Sequence, residues 1–154
     1  MKLTSYIQQE ITPWSNDFVD RIRKEMAKAG VNASNNLSNS LEWEYNGNTW
    51  TLWAAPYFQY AEVGRTAGKI PRYFATILTQ WIHNKGITIP SNFKNIREFS
   101  FAIAYKIKHY GSARNRRSMP RVDLLEQPMK EYMPKLDNIV GTAVVYYIND
   151  NLVF

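Results

Sequence analysis

Apolar residues recur along this chain at two periods, and the points where the period changes divide it into elements. Trp14, Phe18, Ile22 and Met26 stand four apart with Val19 beside them, while Asp17, Asp20, Arg21, Arg23, Lys24 and Lys28 fill the opposite side. That is an amphipathic helix. Thr12 and Pro13 read as its cap and first residue, and Gly30 as its end. Residues 1–12 show no clear period and read as an N-terminal arm. The Asn- and Ser-rich stretch 31–40 favours local side-chain bonds over ladders and predicts a loop. Residues 41–45 then alternate apolar and acidic, Asn46-Gly47 signals a hairpin, and 48–54 resumes the strand pattern. With Asn46 and Gly47 as a two-residue type I′ loop, Tyr45 faces Asn48, Trp43 faces Trp50 and Leu41 faces Leu52. Glu42 and Glu44 then meet Thr51 and Thr49 on the other face.

The middle of the chain, residues 57–87, joins rings, a glycine-punctuated turn, a basic pair and a helix. Pro56 opens a helical turn through Tyr57, Tyr60 and Val63, and Gly64 closes it. Gly68 gives a second bend between Arg65 and Lys69, and Pro71 restarts the chain with a helical φ. Tyr73, Phe74, Ile77, Leu78, Trp81 and Ile82 recur at three and four, and Gly86 ends that helix. Asn95 with Glu98 has capping-box spacing, and Ile96, Phe99, Ile103, Ile107 and Tyr110 mark another helix stopped by Gly111. Residues 112–121 lack a period and read as an exposed basic loop. Asp123 with Glu126 offers another cap, Pro128 and Pro134 predict breaks, and residues 136–148 read as a last helix, with 149–154 as a C-terminal tail. These elements make one α+β domain over 1–154. Its small antiparallel sheet is the hairpin 41–54 plus strands expected from 54–63 or 118–125, and about four helices pack on it.

Composition sharpens this picture in three ways. Hydrophobic residues are 45% and aromatic ones 14% of the 154, with five Trp and ten Tyr. So many rings serve either a core or protein contact surfaces, where Tyr and Trp are enriched. There is no cysteine, which excludes disulfides, thiolate catalysis and cysteine metal sites. No apolar run reaches the roughly 18 residues of a membrane span, nor does the N-terminal stretch carry a signal-peptide core, so a protein made in the cytoplasm with no membrane partner is expected. The net charge is +6, and Lys106, Lys108, Arg114, Arg116, Arg117 and Arg121 concentrate the excess. Such a patch suits nucleic-acid phosphates, an acidic protein surface, or solvent alone.

Catalytic chemistry finds little support. Gly64 to Lys69 looks like a phosphate loop, yet only three residues separate Gly64 from Gly68, and Ile70 stands where a Walker motif needs Ser or Thr to hold magnesium. His83 and His109 lie in different predicted helices without further ligands at metal spacing. Glu42 and Glu44 share a strand face with no neighbour to tune them, and no Gly-x-Ser-x-Gly elbow occurs. Glu62, between Tyr60 and Arg65, is read as pinning the turn by pairing with Arg65 or Lys69. No catalytic residue, metal or cofactor is expected.

The order in residues 57–87 resembles the neck and tail-completion proteins of tailed bacteriophages, including head-tail connectors and minor tail components. That order is aromatic and acidic residues, Gly64-Arg65, Gly68-Lys69-Ile70-Pro71, an amphipathic helix bearing Trp81, then Lys85-Gly86-Ile87. The family's Tyr-Ala-x-x-x-Glu-x-Gly-like segment would be residues 57–64, with Glu62 as the acid. Its Gly-x-Leu-x-x-Ser-like run would fall on Asn36, Leu37 and Ser40, with Asn36 replacing glycine. The resemblance spans 14–148 in element order and is specific in 57–87. It implies a virion structural protein around the DNA channel, forming rings of about six or twelve copies by head-to-tail contacts and meeting portal, neck or tail neighbours. Tyr57, Tyr60, Glu62, Gly64, Arg65, Gly68, Lys69, Pro71 and Trp81 would then serve subunit contacts, and the Arg-rich loop would touch DNA phosphates or an adjoining ring. The alternative is a basic nucleic-acid-binding protein using residues 106–121.

Overall fold

The computed structural model describes residues 3–31, 35–116 and 119–151. Among them are six helices and two strands: α1 (Leu3–Lys28), α2 (Asn36–Asn39), β1 (Glu42–Tyr45), β2 (Trp50–Trp53), α3 (Phe58–Val63), α4 (Phe74–Lys85), α5 (Ile96–Tyr110) and α6 (Glu126–Asn151). The fold class is α+β, with one two-stranded antiparallel sheet among the described residues. The span read as one domain packs as two compact units. The first gathers 1–29, 38–55 and 123–154, and the second 30–37 and 56–122.

In the first unit α1 and α6 run antiparallel. Tyr6 meets Tyr146 with ring centroids 5.2 Å apart, Trp14 Nε1 donates to the Tyr132 carbonyl at 3.0 Å, and Arg21 Nε donates to Glu131 at 2.7 Å. The stripe read from the sequence is the buried face of α1: Trp14, Phe18, Val19, Ile22 and Met26 all have under a tenth of their surface exposed. The helix does not start at Thr12, however. It begins at Leu3 and carries Pro13 inside, so the described part of the expected arm is helical. Ile11, also buried, extends the stripe upstream, and its burial offsets part of the cost of the backbone bond that Pro13 forfeits. The Thr12 hydroxyl donates back to the Gln8 carbonyl at 3.2 Å, as a residue inside a helix does.

The same competition decides α6. Asp123 Oδ1 accepts the Leu125 and Glu126 N–H groups at 3.1 and 2.7 Å and caps the helix. Pro128 falls in the first turn, where an N–H has no helical partner. Pro134, expected to break the helix, lies within it, because α6 is held to α1 at Glu131 and Tyr132 before the proline and at Tyr146 beyond it. Residues 149–151 continue α6 where a tail was expected, and 152–154 lie outside the described residues.

The hairpin forms, with a different turn. Its pairs are Glu42 with Trp53, Trp43 with Leu52, Glu44 with Thr51 and Tyr45 with Trp50, so the expected Trp43 and Trp50 pairing is shifted by two. Asn46 Oδ1 accepts the N–H groups of Asn48 and Thr49, and Asn46 N–H donates to the Thr49 carbonyl at 3.2 Å. The loop is therefore Gly47-Asn48. Gly47 has φ +93 while Asn48 is not among the positive-φ residues, which excludes type I′ and fits glycine leading a type II′ turn. Moving the turn by one residue moves each pair by two, so the faces are conserved. Trp50 Nε1 donates to Ser15 Oγ at 2.7 Å and Trp43 Nε1 to Asn16 Oδ1 at 2.9 Å, fastening that face to α1.

In the second unit α4 packs on α5. Leu78 and Ile82 from α4 and Ser100 and Ala104 from α5 are buried. Ser100 Oγ donates to the Ile96 carbonyl and accepts from Thr79 Oγ1, both at 2.8 Å, so no buried hydroxyl is left unpaired there. Gly86 ends α4 in the left-handed conformation at φ 62, and Asn95 caps α5 by accepting the Glu98 N–H. The further strands expected from 54–63 and 118–125 are absent among the described residues. Residues 58–63 are α3, and the Val122 N–H donates to the Glu62 carbonyl at 3.2 Å without forming a strand.

Candidate interaction site

Two glycines that directly follow helices build the centre of the second unit. Gly64, after α3, has φ 77 and ψ 175, and Gly111, after α5, has φ 78 and ψ 171. This region is open to glycine almost alone. Space forbids a side chain as well: a Cβ on Gly64 would lie 2.4 Å from Asn115 N and Ser112 Oγ, and one on Gly111 would lie 2.9 Å from the Arg65 carbonyl oxygen. The two loops are laced together. Ser112 N–H donates to the Arg65 carbonyl at 2.8 Å, Arg65 N–H to Ser112 Oγ at 2.9 Å, and Gly68 N–H to the Lys108 carbonyl at 2.9 Å.

Arginines lock this clasp. Arg65 Nη2 donates to the Lys69 carbonyl at 2.8 Å, and its guanidinium stands 5.4 Å from the Tyr60 ring centre and 5.5 Å from that of Phe74. Arg114 Nη1 donates to the Ala61 carbonyl in the last turn of α3 at 2.9 Å, and Arg116 Nε to the Gly111 carbonyl at 3.2 Å. Cations at helix C-termini complete carbonyls that have no helical partner. The basic loop, expected to be exposed, is thus half-buried over residues 112–115. Its arginines at 114 and 116 face main-chain oxygen, and Arg117 lies outside the described residues. Lys106, Lys108 and Arg121 are exposed.

The structure therefore brings Tyr60, Gly64, Arg65, Gly68 and Lys69 together with Arg114 and Arg116. Glu62 is half-buried and offers its main-chain carbonyl to Val122. Pro71 precedes α4, its carbonyl accepting the Phe74 N–H at 3.0 Å. Tyr57 is exposed at the start of α3, apart from the clasp's bonds. Trp81 belongs to a separate feature. Tyr73, Ile77 and Trp81 follow each other at four-residue steps along α4, exposed by 65%, 46% and 39%, and no charged residue interrupts that stripe. Sequence reasoning missed Gly111, Ser112, Asn115 and Phe74 as parts of the clasp. Their only signal was that Gly111, like Gly64, closes a helix ahead of a basic turn.

Charge is divided between the units. The second holds twelve Lys and Arg against two acids, Glu62 and Glu98, and the first holds seven against eleven. Shifted ionisations mark the first unit. The Arg21 guanidinium, bonded to Glu131 and Glu25, titrates above its ordinary range, and Arg21 holds the Glu131 carboxyl below its own. The Glu126 and Leu125 N–H groups lower Asp123, the Glu126 bond acting most, while burial, then the nearby Asp17 charge, raises Tyr132. An open groove of about 620 Å³ lies beside α1 and β1, with Asp20, Arg23 and Glu42 as its charged groups. Asp20 is paired to Arg23 at 2.8 Å. Among the described residues no group of three His, Cys, Asp or Glu is placed to hold a metal, and no helix is long and apolar enough to cross a membrane. Comparison with protein-family models, curated proteins and solved structures gives no match.

Proposed function

We propose that this chain is a structural protein of a tailed-phage virion, a neck, tail-completion or tail-terminator component whose copies join head to tail into a ring around the genome's channel. The α4 stripe of Tyr73, Ile77 and Trp81 carries the reading. It is a chargeless aromatic surface, on the one segment whose residue order resembles that family, and it is left facing outward. Exposed apolar stripes of this kind are sites of association. The uneven charge supports a head-to-tail arrangement, because a basic unit of one copy suits the acidic unit of the next and disfavours like meeting like. The clasp at Gly64 and Gly111 holds residues 60–69 in one geometry, which lowers the ordering cost of an interface. In this role no bond is made or broken by the polypeptide.

Mass photometry of the purified protein tests the reading. Discrete assemblies of several copies are expected, and they persist in moderate salt, since ring burial sets their lifetime and charge mainly guides encounter. A protein that stays monomeric at every concentration, alone and with portal or tail assemblies, would contradict it. The alternative, nucleic-acid binding through residues 106–121, is weakened by Arg114 and Arg116 facing main-chain carbonyls. Binding through that segment would fall steeply with salt.

A further inference from the structure

We propose that the outward face of α5 binds single-stranded nucleic acid, through a stripe of cations and rings distinct from the Arg-rich loop and independent of whether the copies form rings. Ile103, Ala104 and Ile107 turn α5 inward with Ser100. Beside that packed arc, Arg97, Phe101, Tyr105 and Lys108 follow at steps of four, four and three, which places them along one side of the helix. All four are exposed, Phe101 by 53% and Tyr105 by 63%. The stripe runs roughly 16 Å along the axis.

Two rings stand between two cations. The Arg97 guanidinium lies 5.7 Å from the Phe101 ring centre, and the Tyr105 ring lies 4.3 Å from that of His109. Two acids belong to this unit, and the exposed Glu98 sits at the Arg97 end of the stripe. Glu98 Oε2 accepts the Lys94 N–H at 2.8 Å at the start of the helix, and Glu62 is half-buried on α3. A surface rich in Lys and Arg attracts any polyanion, but open rings set between the cations match unpaired bases set between phosphates. A duplex would hide its base faces from these rings.

Fluorescence anisotropy of the full chain with a labelled oligothymidylate of about 12 nucleotides tests this, titrated from about 50 to about 200 mM salt. Binding is expected, with affinity falling linearly on a log–log plot. The Arg97→Gln/Lys108→Gln pair should lower the salt slope by roughly 1.4, two phosphates' worth. The Phe101→Ala/Tyr105→Ala pair should lose at least about tenfold in affinity with the slope unchanged. All four positions are exposed, and circular dichroism verifies that the variants fold. Trp81→Ala, on α4, should bind like the parent, which separates this surface from the proposed ring contact. The proposal is overturned by no binding at low salt, by ring variants that bind like the parent, or by equal binding to a duplex. Preference for polyglutamate would also overturn it and mark an acidic protein surface as the occupant.

Discussion

The two units differ in how their aromatic residues are held. In the first, Trp14, Trp43 and Trp50 each give their indole N–H to a partner, and the Trp14, Phe18, Trp50 and Tyr132 rings pack together at centroid distances of 5.3 to 6.5 Å. In the second, Tyr73, Trp81, Phe101 and Tyr105 face outward, and order comes from two glycine loops and three arginines bonded to main-chain carbonyls. The difference teaches that rings build the core of the first unit, which also exposes Trp53, Tyr146 and Tyr147, whereas the second unit presents rings along α4 and α5. A unit held by backbone bonds can leave its rings free for partners.

That contrast can be broken from either side. Trp14→Ala removes the centre of the first unit's ring cluster and should cost about 3–5 kcal/mol, measured by urea unfolding. Gly64→Ala forces a side chain into a glycine-only conformation against Asn115 and Ser112, and about 2–3 kcal/mol of strain is expected. Hydrogen exchange should show the Ser112 and Gly68 amides losing protection while those of α1 keep theirs. Loss of protection in both units together would mean that the clasp is not local. Asp123→Ala deletes the α6 cap and should cost about 1 kcal/mol.

Acid and alkali sharpen the same comparison, because the shifted groups sit in the first unit. Asp123 and Glu131 have folded pKa values below their ordinary 3.8 and 4.5. Their stabilisation is therefore present above those values and is lost as the pH falls through the lower folded ones. Tyr132 is raised above 10.0, so its contribution is present below that pH and is lost as the pH rises through the higher folded value. Thermal melts across pH should show both flanks, and Glu131→Gln should shrink the acid one. The smallest stability change belongs to Trp81→Ala on the α4 stripe, within about 0.5 kcal/mol. The same change should abolish the assemblies expected in mass photometry, an effect on association without one on folding.

Elements whose pattern is local were legible in the sequence. The α1 stripe, the hairpin and its faces, the Gly86 end of α4 and the Asn95 cap of α5 follow from spacing and turn chemistry. Elements decided by packing at a distance were not. Pro13 and Pro134 read as boundaries, yet α1 and α6 support each other across both. Asn46-Gly47 marked a turn, but the Asn46 side chain, by holding the Asn48 and Thr49 amides, slid it by one residue. The candidate site was legible in part. Gly64, Arg65 and Lys69 lie in one recognisable run, whereas Gly111, Ser112 and Asn115 come from a distant part of the chain, the Arg65 and Ser112 bond spanning 47 positions. No local pattern announces such a contact. The arginines of the basic loop looked like free charge because a sequence does not show which carbonyls lack partners.

Negative-stain microscopy of the purified protein, alone and with the Tyr73→Ser/Trp81→Ser pair, addresses the head-to-tail ring most directly. Closed rings with an open centre are predicted for the parent, and single folded copies for the double variant. Single copies in the parent, or undiminished rings in the variant, would contradict the account.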